Sequence, residues 1–351
     1  MKKIVGTIAA IALAASSAFA GANFGMGFNR AFFTPFAYDG EAKADISTSW
    51  GNAPRIGASF SAASEDVGVV ADVKFDGGSV AVNDNAYIWV KPASWLKVQI
   101  GQSFDDTLRG NACFGTWDWL RPGNILGEDL TFVRICENPL GGAYLPLQGA
   151  IVMLDPIEGL HIAAGLRTGY GSDKWESIAK KIQVQAGYTI ADVMQIKAQY
   201  IGKGDDKAVI NAAVSLKAVE NMTLDAGVFI DTTEKAPVTV SLFWGMPFDA
   251  VSVNANAKVD IAENTTSVAA GVGLGVDLGN GLSCGADVRY SQTFVKDVDS
   301  DPAIAFGAWL DKGIANGTLG VAVQGAMKTG IQTFNASDFT IAVPVRVQCF
   351  F

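Results

Sequence analysis

Residues 251–261 read Val-Ser-Val-Asn-Ala-Asn-Ala-Lys-Val-Asp-Ile, and the stretch separates cleanly into two faces. Val251, Val253, Ala255, Ala257, Val259 and Ile261 fall on one side; Ser252, Asn254, Asn256, Lys258 and Asp260 fall on the other. A period of two belongs to a β-strand, whose successive side chains leave opposite faces of the sheet. The pattern returns at 222–231, where Met222, Leu224, Ala226, Val228 and Ile230 oppose Thr223, Asp225 and Asp231. It returns again at 182–190, with Gln183 and Gln185 against Val184 and Tyr188. In a soluble sandwich the polar face would look outward and the apolar face would form the core. Here the polar faces carry Asn, Gln, Ser, Lys and Asp mixed with Gly, along one very long series. That suits a hydrated lumen inside an apolar exterior.

The links between these segments alternate in length. Short turns fall at Pro92-Ala93-Ser94, Asp155 to Gly159, Ala191-Asp192, Pro247-Phe248-Asp249 and Gly279-Asn280-Gly281. Longer, more acidic links lie at Ser172 to Glu176, Asp205-Asp206, Thr232 to Lys235 and Lys296 to Asp301. Short inner turns alternating with longer outer loops are the pattern of a transmembrane β-barrel. The expected fold is therefore all-β: an antiparallel barrel of about 18 strands, with 16 as the close rival. The first strands are placed at 44–50 and 54–62, and the last at 338–351. Residues 21–43, rich in Phe, are left as a strand or a plug, and the barrel proper as 44–351. Trp50, Trp95, Tyr188, Tyr200, Trp244, Tyr290 and Phe351 sit near strand ends, as interfacial aromatic girdles require.

Both ends of the chain support this reading. Residues 1–20 have a basic start at Lys2 and Lys3, an apolar stretch from Ile4 to Ala15 and the small-x-small step Ala18-Phe19-Ala20. These are the parts of a cleaved signal peptide, which puts the mature start at Gly21. At the other end Phe339, Ile341, Val343, Val345, Val347, Cys349 and Phe351 share one face, opposite Asp338, Thr340, Arg346 and Gln348. An amphipathic last strand ending on Phe351 resembles the signal by which outer-membrane barrels engage the barrel-assembly machinery. Lipids of the outer membrane are the partner of the apolar face.

Composition excludes several functions. The formal charge is −9, and it becomes −11 once Lys2 and Lys3 leave with the signal peptide. An acidic chain is a poor partner for nucleic acid, which needs a basic face. The single His161 rules out multi-His metal sites, and it sits mid-strand with no Ser or carboxylate at matched spacing. No metal, no cofactor and no enzymatic activity are expected. Gly271, Gly273 and Gly275 alternate along a strand and do not open a helix, so they make no dinucleotide site. Cys113 and Cys136 fall in one long loop and could be bonded, while Cys284 and Cys349 occupy lipid-facing strand positions as free thiols.

That long loop, residues 104–144, stands apart from every other connection. A link of this length in a compact barrel carries function more often than not. It contains Asp105, Asp106, Asp118, Glu128, Asp129 and Glu137, with Arg109, Arg121 and Arg134 among them and Trp117 and Trp119 beside Asp118. At this point the chain resembles the general porins of Gram-negative bacteria, as architecture over most of its mature length. The resemblance implies that the loop after the fifth strand folds inward and narrows a water-filled pore through which small polar solutes diffuse. It further implies that the acidic loop faces basic residues of the wall, and that the barrel forms a homotrimer. Alternation turns Arg55, Lys74, Lys97, Arg167 and Arg346 inward, and they are the expected wall residues. Opposed fixed charges across a narrow gap orient water and dipolar solutes and disfavour apolar ones. The competing reading is a surface structural protein or adhesin presenting acidic loops.

Overall fold

The computed structural model describes residues 22–26, 29–38, 40–47, 56–76, 79–108, 147–168, 174–204, 207–217, 219–232, 238–298, 302–328 and 339–349. Within them the chain forms one sheet of twenty strands. It opens with β1 (Ala22–Met26), β2 (Asn29–Tyr38), β3 (Ala42–Ser47) and β4 (Ile56–Ala63). Next come β5 (Val67–Asp76), β6 (Ser79–Ala93), β7 (Leu96–Ser103), β8 (Leu147–Leu154) and β9 (Leu160–Arg167). A short helix, α1 (Trp175–Ala179), precedes β10 (Gln183–Ile190), β11 (Met194–Gly204), β12 (Lys207–Leu216) and β13 (Thr223–Asp231). The series continues through β14 (Val238–Phe248), β15 (Val251–Ile261), β16 (Thr265–Gly279) and β17 (Leu282–Val295). It ends with β18 (Ala303–Ile314), β19 (Gly317–Lys328) and β20 (Phe339–Cys349).

From β4 to β20 each strand pairs antiparallel with the next in sequence, the meander that alternating turns dictate. β20 also pairs with β2, Asn29 opposite Cys349 and Tyr38 opposite Ile341, so the two ends of the chain meet in one barrel. β2 pairs with β3 and β1 with β4, as successive halves of one N-terminal hairpin. Counting β1 with β2, and β3 with β4, reduces the twenty strands to eighteen staves. The all-β antiparallel fold is the one expected, and the N-terminal residues add strands to it. β1 and β2 precede the first expected strand, and β3 and β4 fall where strands were expected at 44–50 and 54–62. Residues 22–26, 29–38 and 42–47 are strands of the sheet.

Turn chemistry closes one rim. Asp192, Asn221, Asp249, Asn280 and Asn316 hold φ of 58°, 61°, 56°, 53° and 55° in the hairpins that end β10, β12, β14, β16 and β18. Asn and Asp tolerate this left-handed region better than other side chains, because their short polar groups bond the local backbone. At the opposite rim the length rule holds less strictly than expected. The links at 205–206 and 262–264 are as short as the inner turns.

The two faces of the sheet differ in kind. Val240, Leu242, Val272, Leu274, Val288, Leu310, Val321, Val323 and Val347 all present between 40 and 59% of their surface outward. An apolar belt crossing β14 to β20 far exceeds the exposed patches that soluble proteins carry, and requires lipid. Ser241, Asp287, Arg289, Asp311, Gln324, Arg346 and Gln348, one residue out of phase, are buried on the inner face. Tyr188, Tyr200 and Tyr290 are outward and 37 to 44% exposed, as girdle residues should be, while Trp95 lies exposed in the β6–β7 turn. Cys284 and Cys349 are free, half-buried thiols on the outward face. On β9 exposure alternates in step from Leu160 to Leu166, with His161, Ala163 and Gly165 buried inside. Arg167 follows the inner phase and is exposed at the outer end of the strand. In a cysteine-free background a membrane-impermeant thiol reagent should therefore modify Arg167→Cys far faster than Leu166→Cys. Equal rates would refute the register.

Candidate functional site: the lumen wall beneath the long loop

The β7–β8 pair carries two glycines with unusual backbone. Gly101 and Gly149 face each other across that pair, with φ of 129° and 152°. Such backbone is nearly closed to residues with a Cβ. A Cβ at Gly101 would lie 2.3 Å from the Ala86 carbonyl oxygen, and one at Gly149 would lie 2.0 Å from that of Leu166. Two facing glycines therefore let the ladder depart from the regular pleat just before the long loop begins. Gly149→Val should abolish assembly of the heat-resistant folded barrel, read as loss of its shifted band on unheated gels. Normal assembly would show that the glycine conformation is dispensable.

Past Ser103 the chain turns onto the inner wall. Asp105 is 3% exposed and Leu108 4%, while Asp106 and Thr107 between them remain open. Leu108 packs over Gly187 of β10, where a Cβ would come within 2.4 Å of the leucine Cδ2. Asp105 is the polar half of the anchor. Its Oδ2 accepts hydrogen bonds from Nε2 of His161 at 2.7 Å and Nε2 of Gln185 at 2.6 Å. Its Oδ1 accepts from the Thr107 backbone N–H at 3.1 Å and the Thr107 hydroxyl at 2.5 Å. Burial alone would raise the Asp105 carboxyl. The hydrogen bonds from His161 and Thr107, with the charge of the ring, outweigh it and hold the group below its ordinary value.

A ladder of polar side chains carries this anchor across four strands. Gln199 on β11 donates to Gln185 Oε1 at 3.1 Å, and Asn211 on β12 donates to Gln199 Oε1 at 2.9 Å. At its other end Nδ1 of His161 meets Oδ1 of Asp155, in the turn between β8 and β9, at 2.8 Å. His161, Gln185, Gln199 and Asn211 are all at most 8% exposed, so each amide and ring nitrogen needs a partner, and the ladder supplies it.

The sequence expectations fare unevenly here. His161 faces the lumen as expected, but the reading that no carboxylate neighbours it is corrected. Asp105, 56 positions away, and Asp155, 6 positions away, both bond the ring. Asp155 reads in sequence only as turn chemistry, because periodicity does not show which side chain of β9 the turn carboxylate meets. Lys97 is half-buried on the inner face, with its ammonium 5.4 Å from the Trp89 ring centroid and that of Lys91 5.6 Å from it. Trp89 and Lys91 escaped the sequence reading, although both share the inner phase with Tyr87. Lys74 is half-buried on β5 in the inner phase, beside Asp72, which bonds Ser59 and Asn85 at 2.6 Å each. Arg346 is inward but 4% exposed, with Nη2 held 2.6 Å from Oδ2 of Asp311. Its charge is matched in place, as are Arg289 by Asp287 at 3.1 Å and Lys258 by Asp260 at 2.8 Å. Arg55, Arg109, Cys113, Trp117, Asp118, Trp119, Arg121, Glu128, Asp129, Arg134, Cys136, Glu137 and Phe351 lie outside the described residues, as do the signal peptide and Trp50.

A barrel apolar outside and charged inside, with a chain segment anchored on its inner wall, has the fold of the outer-membrane porins. The solved structures it resembles carry the same fold. The outer-membrane protein OpdK of Pseudomonas aeruginosa superposes with a TM-score of 0.61 at 12% identity, over 95% of this chain and 99% of that one. OccAB4 of Acinetobacter baumannii matches with a TM-score of 0.61 at 10% identity, over 95% and 99%. A double mutant of the Rh. blastica porin matches with a TM-score of 0.53 at 14% identity, over 94% of this chain and all of that one. No protein-family profile and no curated protein matches the sequence.

Proposed function

We propose that this chain is an outer-membrane channel for passive diffusion of small polar solutes, narrowed by a loop that enters the lumen after Ser103. The observation carrying the narrowing is the burial of Asp105 and Leu108 against the inner faces of β9 and β10, not at the outer rim. A loop whose first residues are pinned inside starts its course within the channel. An 18-stave barrel is wide enough to hold water, so some inward segment is needed to set an exclusion limit. On this reading the barrel sits in the outer membrane of a Gram-negative cell as a homotrimer, delivered by the barrel-assembly machinery, and performs no chemistry. The acidic loop side chains, Asp106, Asp118, Glu128 and Asp129 among them, then oppose the lysines of the wall, Lys91 and Lys97 included. Purified protein added to a planar bilayer should give discrete ion-conducting steps. A properly folded barrel that never conducts would leave a surface structural or adhesive role as the surviving reading.

A further inference from the structure

Two lysines stand side by side on the inner face where β6 turns into β7. One step beyond the Val90–Val98 pair the ladder sets Lys91 beside Lys97, just before the register shifts to Ala93–Leu96. Like charges opposed on neighbouring strands destabilise a sheet. Elsewhere the wall answers its cations: Lys258 has Asp260, Arg289 has Asp287 and Arg346 has Asp311. Among the described residues neither Lys91 nor Lys97 forms an ion pair. Asp105, whose charge reaches Lys97, is taken up by His161, Gln185 and Thr107.

Both ammonium groups are instead drawn over one aromatic ring. Nζ of Lys97 lies 5.4 Å and Nζ of Lys91 5.6 Å from the Trp89 ring centroid. The ring in turn is seated on Gly68 of β5, where a Cβ would come within 2.6 Å of the indole Cε2, Cζ2 and Nε1. Opposite Trp89 in the ladder stands Gln99, 3% exposed, whose carboxamide oxygen has no donor. A buried acceptor without a donor is a standing cost to the fold. Two uncompensated cations and an empty acceptor therefore share one short stretch of wall. A single ligand satisfies all three if it carries both negative charge and an O–H.

We propose that Lys91, Lys97, Trp89 and Gln99 form a binding site for phosphate at the inner-rim mouth of the barrel. The two ammonium groups donate to phosphate oxygens, and the P–OH that inorganic phosphate keeps at neutral pH donates to Gln99 Oε1. Trp89, seated on Gly68, holds the two ammonium groups close together. Sulfate matches the shape and charge of hydrogen phosphate but has no O–H, so it leaves the Gln99 acceptor empty. A site built to accept from a hydroxyl rejects the analogue that lacks it. Binding here is independent of conduction; its effect on ion flow rests on the pore reading above.

The test titrates the full-length barrel, folded in detergent micelles at low ionic strength, with inorganic phosphate and separately with sulfate, read by calorimetry. Phosphate should bind saturably, and sulfate about tenfold or more weakly. Lys91→Gln and Lys97→Gln should each weaken phosphate binding about tenfold, since each removes a charge-assisted hydrogen bond. Gln99→Leu should spare sulfate and bring phosphate down to its level. In a planar bilayer, phosphate at the concentration that saturates the micellar site should lower chloride conductance in wild type and have no such effect in Lys91→Gln. Absence of saturable phosphate binding, phosphate bound as tightly without the lysines, or sulfate bound equally well would each overturn the site. Lys91 is exposed beside the turn, so its variant decides the matter even where Lys97→Gln fails to fold. A barrel that binds phosphate but never conducts overturns the pore reading and leaves the site; one that conducts yet binds no phosphate overturns the site alone.

Discussion

Excising Thr116 to Gly123 should raise single-channel conductance about twofold and admit larger solutes, since ion flow follows the open cross-section at the narrowest level. The deletion removes Trp117 and Trp119, the bulkiest side chains of the loop, along with the charges of Asp118 and Arg121. It leaves the anchor at Asp105 and Leu108 intact, so the barrel and the first turn of the loop should fold as before. A companion variant separates charge from bulk. Replacing Asp106, Asp118 and Asp129 with Asn should keep the pore size and move selectivity toward anions, because Lys91 and Lys97 would then dominate the local field. Asp105 must stay in that experiment. It is a buried acceptor of the anchor, and neutralising it would confound selectivity with loop release. Unchanged conductance after the excision, with unchanged selectivity after neutralisation, would place the loop outside the channel and reduce it to an extracellular lid.

What could be read from sequence follows from where strict periodicity survives. From β5 onward the alternation of faces is unbroken enough to place strands, phases and inner turns, and the outward valines and inward amides fall where it puts them. The N-terminus is different. Across the β2–β20 and β2–β3 pairs the register shifts between Phe33 and Ala37, around Pro35. Phe32 and Thr34 are fully buried while Phe33 and Phe36 point out, so the phase slips in mid-strand and the period-two signal is lost. A proline that cannot donate to the ladder sits at that slip. The site was legible only as a list of residue types. Charge and length pointed to the loop, and phase put His161 and Lys97 inside. No local pattern joins Asp105 to His161 and Gln185, because those contacts need two facing glycines and a segment folding back over three strands.

Asp105→Ala should detach the start of the loop. The substitution takes the acceptor away from two buried donors, His161 Nε2 and Gln185 Nε2, and from the Thr107 pair that shapes the turn. Stranding a buried donor costs about 1–3 kcal/mol, so the two together weaken the closed arrangement by roughly 2–6 kcal/mol. Asp105→Asn should fall short of rescue, since its amide nitrogen would confront donors where an acceptor is needed. The barrel itself, held by ladders from β4 to β20, should keep its thermal stability. The measurable change is local: faster protease nicking within 109–146 and larger, noisier conductance. Wild-type protein should reproduce this behaviour in acid, and the sign is fixed by the carboxyl. Its value in the folded chain lies below the ordinary 3.8, so the carboxyl's own contribution to the anchor is fully present above that value. It is lost only as pH falls through the lowered value, where the Asp105 carboxyl gains a proton and ceases to accept from two donors. Loop nicking should therefore stay low at mildly acidic pH and climb only below the ordinary carboxylate range. The Ala variant should be nicked rapidly throughout. If instead wild type and Asp105→Ala are cut at the same rate at neutral pH, Asp105 is a bystander and the loop is held by residues other than this anchor.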